Sequence, residues 1–235
     1  MSVPFISMGQ TIAGDVFVPS TGSSWPSVVI AYGTVGMSPP FDGLIKDFGK
    51  ELATSGFLAF VPHYFSATGT LPTFKSVYAS PPKTFDRWVE ILTDAVPYVQ
   101  GLASDLAKRS ALVGFSLGAN LALRAAAGPT VKAVVDFFGP MTTTGSSISK
   151  SLVAKLPPTL IHHGAKDAVV RFAESEQLEK WLVDLAIPYT FPKTDYVGDG
   201  HAGQSLIPHL GPVDWSPTAQ KKSSRSTIDF LTKWL

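Results

Sequence analysis

Short, continuously apolar runs alternate along the chain with longer stretches in which apolar side chains recur every three or four residues. The short runs are typical of buried strands, and the longer stretches are typical of amphipathic helices. Strands are therefore predicted at 27–31, 57–62, 111–115, 131–138, 159–163 and 189–192. Helices are predicted at 41–55, 82–103, 117–127, 172–185 and 218–235, with Pro97 expected to kink or end the second of them.

Continuously apolar strands between helices favour a mostly parallel, twisted sheet with helices on both faces. Residues 3–18 precede this alternation and predict an antiparallel pair of strands at the edge of the sheet. No internal repeat or linker interrupts the pattern. Residues 1–235 are therefore expected to form a single α/β domain with about seven or eight strands.

Two stretches, 63–82 and 140–156, match neither pattern. Both are rich in small and polar residues, and both are predicted as long loops that follow the carboxyl end of a strand. Ligands bind at this edge of α/β sheets, so the loops are expected to border a binding site. Surface excursions without a functional role are the alternative.

Composition narrows the classes of partner. The 235 residues are 45% hydrophobic and 16% charged, which is typical of a globular domain and excludes extensive disorder. Nineteen basic and eighteen acidic side chains give a formal net charge of +1, so nucleic acid and membranes are not expected as partners. The absence of cysteine excludes disulfides, thiolate metal sites and a cysteine nucleophile. No secretory signal is recognisable, and a cytoplasmic monomer or small homo-oligomer is expected.

The segment Gly114-Phe115-Ser116-Leu117-Gly118 is a G-x-S-x-G motif between an apolar strand and a helix rich in Ala and Leu. A nucleophile elbow requires this setting, because the serine adopts a strained backbone while small neighbours let strand and helix approach closely. Ser116 is therefore the candidate nucleophile. A purely structural glycine turn is the alternative.

A serine nucleophile needs a base, and five histidines are available. His201 lies in a glycine-rich loop after the last predicted strand, where an imidazole can be held over the sheet edge, and it is the candidate base. His63 ends a strand and is expected to line the pocket. His162 and His163 lie in a strand and are interpreted as structural, and His209 is expected near the surface.

The base in turn needs an acid that orients it. Asp167 follows directly on the strand 159–163, and the chain order Ser116, Asp167, His201 is the one expected of this architecture. Asp136, at the end of the preceding strand, is the competing candidate.

An oxyanion hole is the third requirement of acyl transfer. The backbone N–H of Leu117, the residue after the nucleophile, is one candidate donor. The N–H of Thr34, in the loop after the strand 27–31, is the other, with Gly33 as the alternative. The glycines of that loop could equally be ordinary turn residues.

Apolar residues in the two long loops and beyond the strand that ends at 138 predict an apolar substrate site. Each candidate could instead pack as core. The candidate substrate-binding residues are Tyr64, Phe74, Tyr78, Phe137 and Met141, and Phe138 could also contribute to the apolar site.

The whole chain resembles an α/β-hydrolase of the dienelactone hydrolase family. The shared features occur in that family's order: V-V-I-A-Y-G-T-V-G, G-F-S-L-G, H-H-G-A-K-D-A-V-V and G-D-G-H-A-G. The resemblance implies an α/β-hydrolase fold without a separate lid domain. It also implies hydrolysis of an ester or lactone through an acyl-enzyme.

Two departures from the family limit the choice of substrate. Dienelactone hydrolase uses a cysteine nucleophile held by a glutamate, whereas this chain has Ser116 in place of the cysteine and Gly33 in place of the glutamate. That enzyme also binds its substrate carboxylate with arginines, one of them just after the catalytic histidine, and residues 202–206 contain none. Dienelactone itself is therefore not the expected substrate.

The leading hypothesis is a serine hydrolase that acts on small carboxylic esters or lactones with no metal or organic cofactor. The alternatives are an acyltransferase or peptidase with the same triad, and a non-catalytic ligand-binding protein on a hydrolase scaffold. A small molecule is the expected partner in each case.

Overall fold

The strands form one eight-stranded sheet in the order β1-β2-β4-β3-β5-β6-β7-β8 in the computed structural model, which describes residues 1–104, 108–202 and 214–235. β1 and β2, and β2 and β4, pair antiparallel, and every other pair of neighbours is parallel. The predicted edge pair and the parallel core are both confirmed. The strands are β1 Ser2–Ser7, β2 Gln10–Phe17, β3 Ser27–Ala31, β4 Leu58–Pro62, β5 Ser110–Phe115, β6 Ala133–Phe137, β7 Thr159–His162 and β8 Tyr189–Thr190.

Helices connect the parallel strands. They are α1 Phe41–Thr54, α2 Phe74–Tyr78, α3 Pro82–Leu102, α4 Leu117–Ala126, α5 Lys150–Val153, α6 Phe172–Asp184 and α7 Pro217–Trp234. Pro97 was expected to kink or end this helix; α3 does not end there but continues to Leu102. Pro97 and Thr93, whose carbonyl would have accepted the missing hydrogen bond, are both exposed, so water can satisfy that carbonyl.

The central strands are buried along their whole length, as their apolar sequences predict. Every residue of β3, β4, β6 and β7 is buried. A strand in a single sheet reaches this burial only when both faces of the sheet are covered. α3 and α4 pack against each other and against β3, while α1 packs against β4 and α7 against β6 and β7.

The two stretches predicted as loops contain short helices, and in this respect the prediction is wrong. Residues 63–82 include a 3₁₀ turn at Ser66–Thr68 and α2, and residues 140–156 include α5. Thr73 caps α2 by accepting a hydrogen bond from the N–H of Ser76. One-turn helices are too short to show a periodic apolar pattern, so the sequence signal was absent.

None of the helices described by the structure is long and apolar enough to cross a membrane.

Candidate active site

Ser116 occupies the sharp turn between β5 and α4. Its backbone has φ 54° and ψ −121°, a region that non-glycine residues rarely adopt. The turn is possible because two glycines flank it. A Cβ on Gly118 would collide with the carbonyl oxygens of Ala31 and Tyr32, and one on Gly114 would collide with the first turn of α4. The predicted elbow is therefore present in shape, with its hydroxyl above the carboxyl end of the sheet.

The hydroxyl of Ser116 lies within hydrogen-bond distance of the imidazole of His201, and the imidazole lies within hydrogen-bond distance of Asp167. Nε2 of His201 lies 3.0 Å from Oγ of Ser116. Nδ1 of the same ring lies 2.8 Å from Oδ2 of Asp167. His201 and Asp167 are buried, so water competes little for these bonds. The structure thus brings together the three side chains that the sequence placed 85 and 34 residues apart.

Asp167 is held as a carboxylate by several donors. The N–H groups of Val169 and Val170 donate to its Oδ1, each at 2.8 Å. Burial alone would raise the pKa of Asp167, but the hydrogen bonds from His163, His201 and Val170 outweigh it and hold the pKa well below its usual range. The carboxylate of Asp167 is therefore charged at neutral pH.

His163 was interpreted as structural, and the structure places it against Asp167. Its Nε2 lies 3.2 Å from Oδ2 of Asp167 and 2.9 Å from the carbonyl of Val170. Its Nδ1 lies 2.6 Å from the hydroxyl of Ser175, so Nε2–H can donate toward both oxygens. The four-residue separation of His163 and Asp167 across one tight turn was the available signal. His163 helps to fix the orientation of the carboxylate.

The turn that carries Asp167 and the loop that carries His201 are bonded to each other. The N–H of Lys166 donates to the carbonyl of Asp199 at 2.9 Å. Gly164 allows this approach, because a Cβ there would collide with the same carbonyl. The N–H of Ala165 likewise donates to the carbonyl of Tyr196 at 3.0 Å, so the segments that carry the acid and the base are held together by backbone contacts.

Asp136, the competing acid, lies in the core at the end of β6. Its Oδ1 accepts a hydrogen bond from the N–H of Gly139 at 2.7 Å, while its Oδ2 is buried and has no partner among the described residues. Burial raises the pKa of Asp136 to about 6. Asp167, and not Asp136, is the carboxylate that the structure places at Nδ1 of His201.

This raised pKa predicts how Asp136→Asn changes stability with pH. Between pH 4 and pH 6 the folded protein retains a proton on Asp136 that the unfolded chain has lost, so wild-type stability falls as the pH rises. Asparagine cannot ionise. The free energy of unfolding of the variant minus that of wild type should therefore increase by up to about 3 kcal/mol between pH 4 and pH 7.5. Urea unfolding of both proteins at the two pH values measures this difference, and an unchanged difference would contradict the burial of an ionising Asp136.

The loop after β3 lies directly against the nucleophile. A Cβ built on Gly33 would be 3.3 Å from Cβ of Ser116, so the loop backbone borders the space above the serine. The N–H groups of Thr34 and Leu117 have no acceptor within the described ranges. Both candidate oxyanion donors are therefore available at this position.

Tyr64 anchors this loop rather than lining a pocket. Its hydroxyl donates to the carbonyl of Tyr32, and its ring stacks on that of Tyr32 with centroids 4.1 Å apart. The hydroxyl of Tyr32 in turn accepts from the N–H of Phe65 at 3.0 Å. Tyr64 is fully buried, so its expected contact with substrate is not what the structure shows.

A cavity of about 690 Å³ opens beside Ser116 and His201. This is within the usual size of small-molecule sites. Phe74 and Phe137, both predicted to bind substrate, contribute to its lining. Tyr78 and Met141 do not. Met141 is buried and its N–H donates to Glu174, and Tyr78 stacks behind Phe74 with ring centroids 6.1 Å apart.

Much of the cavity wall comes from residues that the sequence did not single out. Helix α1 contributes Leu44, Ile45 and Phe48, whose spacing of three to four residues is typical of any amphipathic helix. Trp215 completes the wall near the base, together with Phe138, which the sequence had indicated for the apolar site. Phe138 has φ 45°, and its ring centroid lies 4.5 Å from that of His201, so a strained backbone presents this ring to the imidazole.

His63 and His162 lie outside the described lining of the cavity. His63, expected in the pocket, lies 3.1 Å from Asp15 and is absent from the described lining. His162 is buried between the hydroxyls of Tyr196 and Thr227, and burial lowers its pKa to about 3, so it is neutral. His209 lies outside the described residues.

Among those residues, no group of three or more His, Cys, Asp or Glu side chains is arranged to hold a metal ion.

The sequence profile of the Dienelactone hydrolase family matches residues 12–235. A Synechocystis protein provisionally named a carboxymethylenebutenolidase is 25% identical over 203 residues, which are 79% of this chain and 80% of the relative.

Solved structures show the same fold. A Klebsiella pneumoniae protein provisionally named a dienelactone hydrolase superposes with a TM-score of 0.76 at 19% identity, covering 100% of this chain and 98% of its own. A dienelactone hydrolase-like promiscuous phosphotriesterase from metagenomic libraries superposes with a TM-score of 0.71 at 16% identity, covering 100% and 97%. Both are α/β-hydrolase folds of similar length.

Proposed function

The chain belongs to the dienelactone hydrolase family and is a hydrolase of small molecules, and from this premise we propose that it cleaves carboxylic esters or lactones through an acyl-enzyme on Ser116. The observation that carries the proposal is the continuous hydrogen-bonded path from Oγ of Ser116 through His201 to Asp167, with distances of 3.0 Å and 2.8 Å. A path of this kind activates a serine hydroxyl that would otherwise be a poor nucleophile.

In the first half of the reaction Oγ of Ser116 attacks the carbonyl carbon, and its proton passes to Nε2 of His201. The carbonyl π-bond opens and its electrons become the oxyanion, which the N–H groups of Thr34 and Leu117 stabilise. When the oxyanion collapses, the bond to the alcohol oxygen breaks and His201 returns its proton to that oxygen. The product is an acyl ester of Ser116 and a free alcohol, which stays tethered in a lactone.

Asp167 acts on His201 and not on the substrate. Because it accepts from Nδ1, it holds the proton on that nitrogen and leaves Nε2 free to accept. Its charge also stabilises the imidazolium that forms in each half-reaction. Water then attacks the acyl carbon while Nε2 of His201 takes its proton. When the second oxyanion collapses, the bond to Oγ of Ser116 breaks, His201 returns its proton to Oγ, and the acid product is released.

A methanol partition experiment tests this mechanism. Two esters with the same acyl group and different alcohols form the same acyl-enzyme, so added methanol should divert the same fraction of each to methyl ester. We expect the ratio of methyl ester to free acid, measured by chromatography, to be identical for the phenyl and p-nitrophenyl esters. A ratio that depends on the leaving group would contradict a shared acyl-enzyme, and methyl ester as the main product at low methanol would favour acyl transfer.

A further inference from the structure

A continuous aromatic wall borders the cavity beside the nucleophile. The rings of Phe115 and Phe137 stack with centroids 4.5 Å apart, and Phe48 meets Phe115 edge-on at 5.5 Å. On the side of the base, the rings of Phe138 and Trp215 are 5.4 Å apart. All five side chains line the cavity. A group bound here is surrounded by carbon and finds few hydrogen-bond partners.

Charged side chains in the lining are few and do not favour an anion. Asp47, Glu51 and Lys221 are the charged members of the described lining, two acids against one base. All three are exposed and thus lie at the mouth of the cavity. Lys221 is therefore the one lysine or arginine of the described lining, and it is exposed to water.

The arginines of the chain are all located elsewhere. The sequence has five, and none belongs to the described lining of the cavity. Four of them pair with carboxylates outside this lining: Arg87, Arg124, Arg171 and Arg225. The fifth, Arg109, directly precedes β5 and so lies at the end of that strand opposite to Ser116. Residues 203–213, which follow the base, contain neither lysine nor arginine.

From these observations we infer that the substrate is an uncharged, largely apolar ester or lactone, and that the site discriminates against substrates bearing a carboxylate. The inference rests on the proposed function, since it concerns the selectivity of the same site. A carboxylate against the aromatic wall would lose its water without gaining a cation, which is strongly unfavourable. An apolar chain in the same place would be stabilised by leaving water.

A matched pair of esters isolates this charge effect. p-Nitrophenyl hexanoate and the mono-p-nitrophenyl ester of adipic acid have the same chain length and leaving group, and they differ in a terminal methyl or carboxylate. We expect kcat/KM for the adipate ester to be at least 100-fold lower. Values within threefold of each other, or a preference for the adipate ester, would overturn the inference.

Variants with an added cation test whether the lining causes the discrimination. Leu44 and Phe74 line the cavity and are 45% and 40% exposed, so Leu44→Arg and Phe74→Arg can be accommodated without burying the guanidinium. Each variant should lower the ratio of kcat/KM for the hexanoate ester to kcat/KM for the adipate ester about tenfold. Val183→Arg, at a 56% exposed position of α6 outside the described lining, is the matched control and should leave the ratio unchanged. If both lining variants fold, by circular dichroism, and keep the wild-type ratio, the inference is overturned.

Binding to Ser116→Ala separates selectivity from turnover. Isothermal calorimetry with the two esters should give an affinity at least tenfold higher for the hexanoate ester, and equal or reversed affinities would overturn the inference. Cleavage of neither ester by wild type, together with preferred binding of the hexanoate ester, would instead refute the proposed function and leave the selectivity of the cavity supported.

Discussion

Replacement of Ser116 by alanine should abolish ester hydrolysis, because it removes the hydroxyl that lies 3.0 Å from Nε2 of His201 and is proposed to attack the substrate carbonyl. The variant should retain at most the catalysis of about 10³–10⁴ over water that binding and an oxyanion hole supply in other triads. Its stability should change little, since the hydroxyl it loses is on a half-buried side chain whose backbone is already strained at φ 54°. Initial rates with p-nitrophenyl hexanoate and thermal unfolding measure the two effects.

Ser66→Ala is the matched control for this variant. Ser66 is exposed in the 3₁₀ turn after β4, and its hydroxyl donates only to the carbonyl of His63. The control should keep wild-type rates. Full turnover by Ser116→Ala would show that the nucleophile lies elsewhere.

The second largest effect is expected from Asp167→Asn. Asparagine can still accept from the N–H groups of Val169 and Val170, so the turn should persist. Its amide group can instead donate to Nδ1 of His201, which moves the ring proton to Nε2 and removes the base. By analogy with other triads, kcat should fall about 10³–10⁴-fold with little change in KM. Steady-state kinetics on the purified variant measure both constants.

Asp136→Asn is the control for the position of the acid, and it should reduce kcat far less. Asp136 makes no described hydrogen bond to Ser116, His201 or Asp167, and its one described hydrogen bond is accepted from the N–H of Gly139. A large loss of kcat in Asp136→Asn together with a small one in Asp167→Asn would place the acid one strand earlier in the fold.

The central strands were predictable because burial on both faces leaves a strong mark on the sequence. Residues 57–62 and 111–115 are continuous apolar runs, and the structure has β4 and β5 there with boundaries within one residue. The single-turn helices α2 and α5 left no such mark, since four or five residues do not complete a periodic pattern.

The triad and the cavity differ in how far sequence could locate them. Ser116, Asp167 and His201 were identifiable because each follows a strand, and the carboxyl ends of parallel strands share one edge. Cavity walls have no comparable signal. Phe48 lines the cavity although its place in the apolar pattern of α1 is that of a core residue. Tyr64 is an aromatic residue of a kind common in pockets, but its hydroxyl donates to the carbonyl of Tyr32. Only the packing of the folded chain shows that Phe48 borders the cavity and that Tyr64 is buried away from it.

Covalent labelling tests the proposed nucleophile most directly. The protein should react with one equivalent of a neutral p-nitrophenyl alkylphosphonate, lose turnover in proportion, and carry the label on the peptide that contains Ser116. Fragmentation in the mass spectrometer assigns the modified residue, and Ser116→Ala should remain unlabelled under the same conditions. Iodoacetamide should leave turnover unchanged, since the chain has no cysteine. A phosphonate found on another serine, or complete labelling without loss of turnover, would contradict the assignment of Ser116 as the nucleophile.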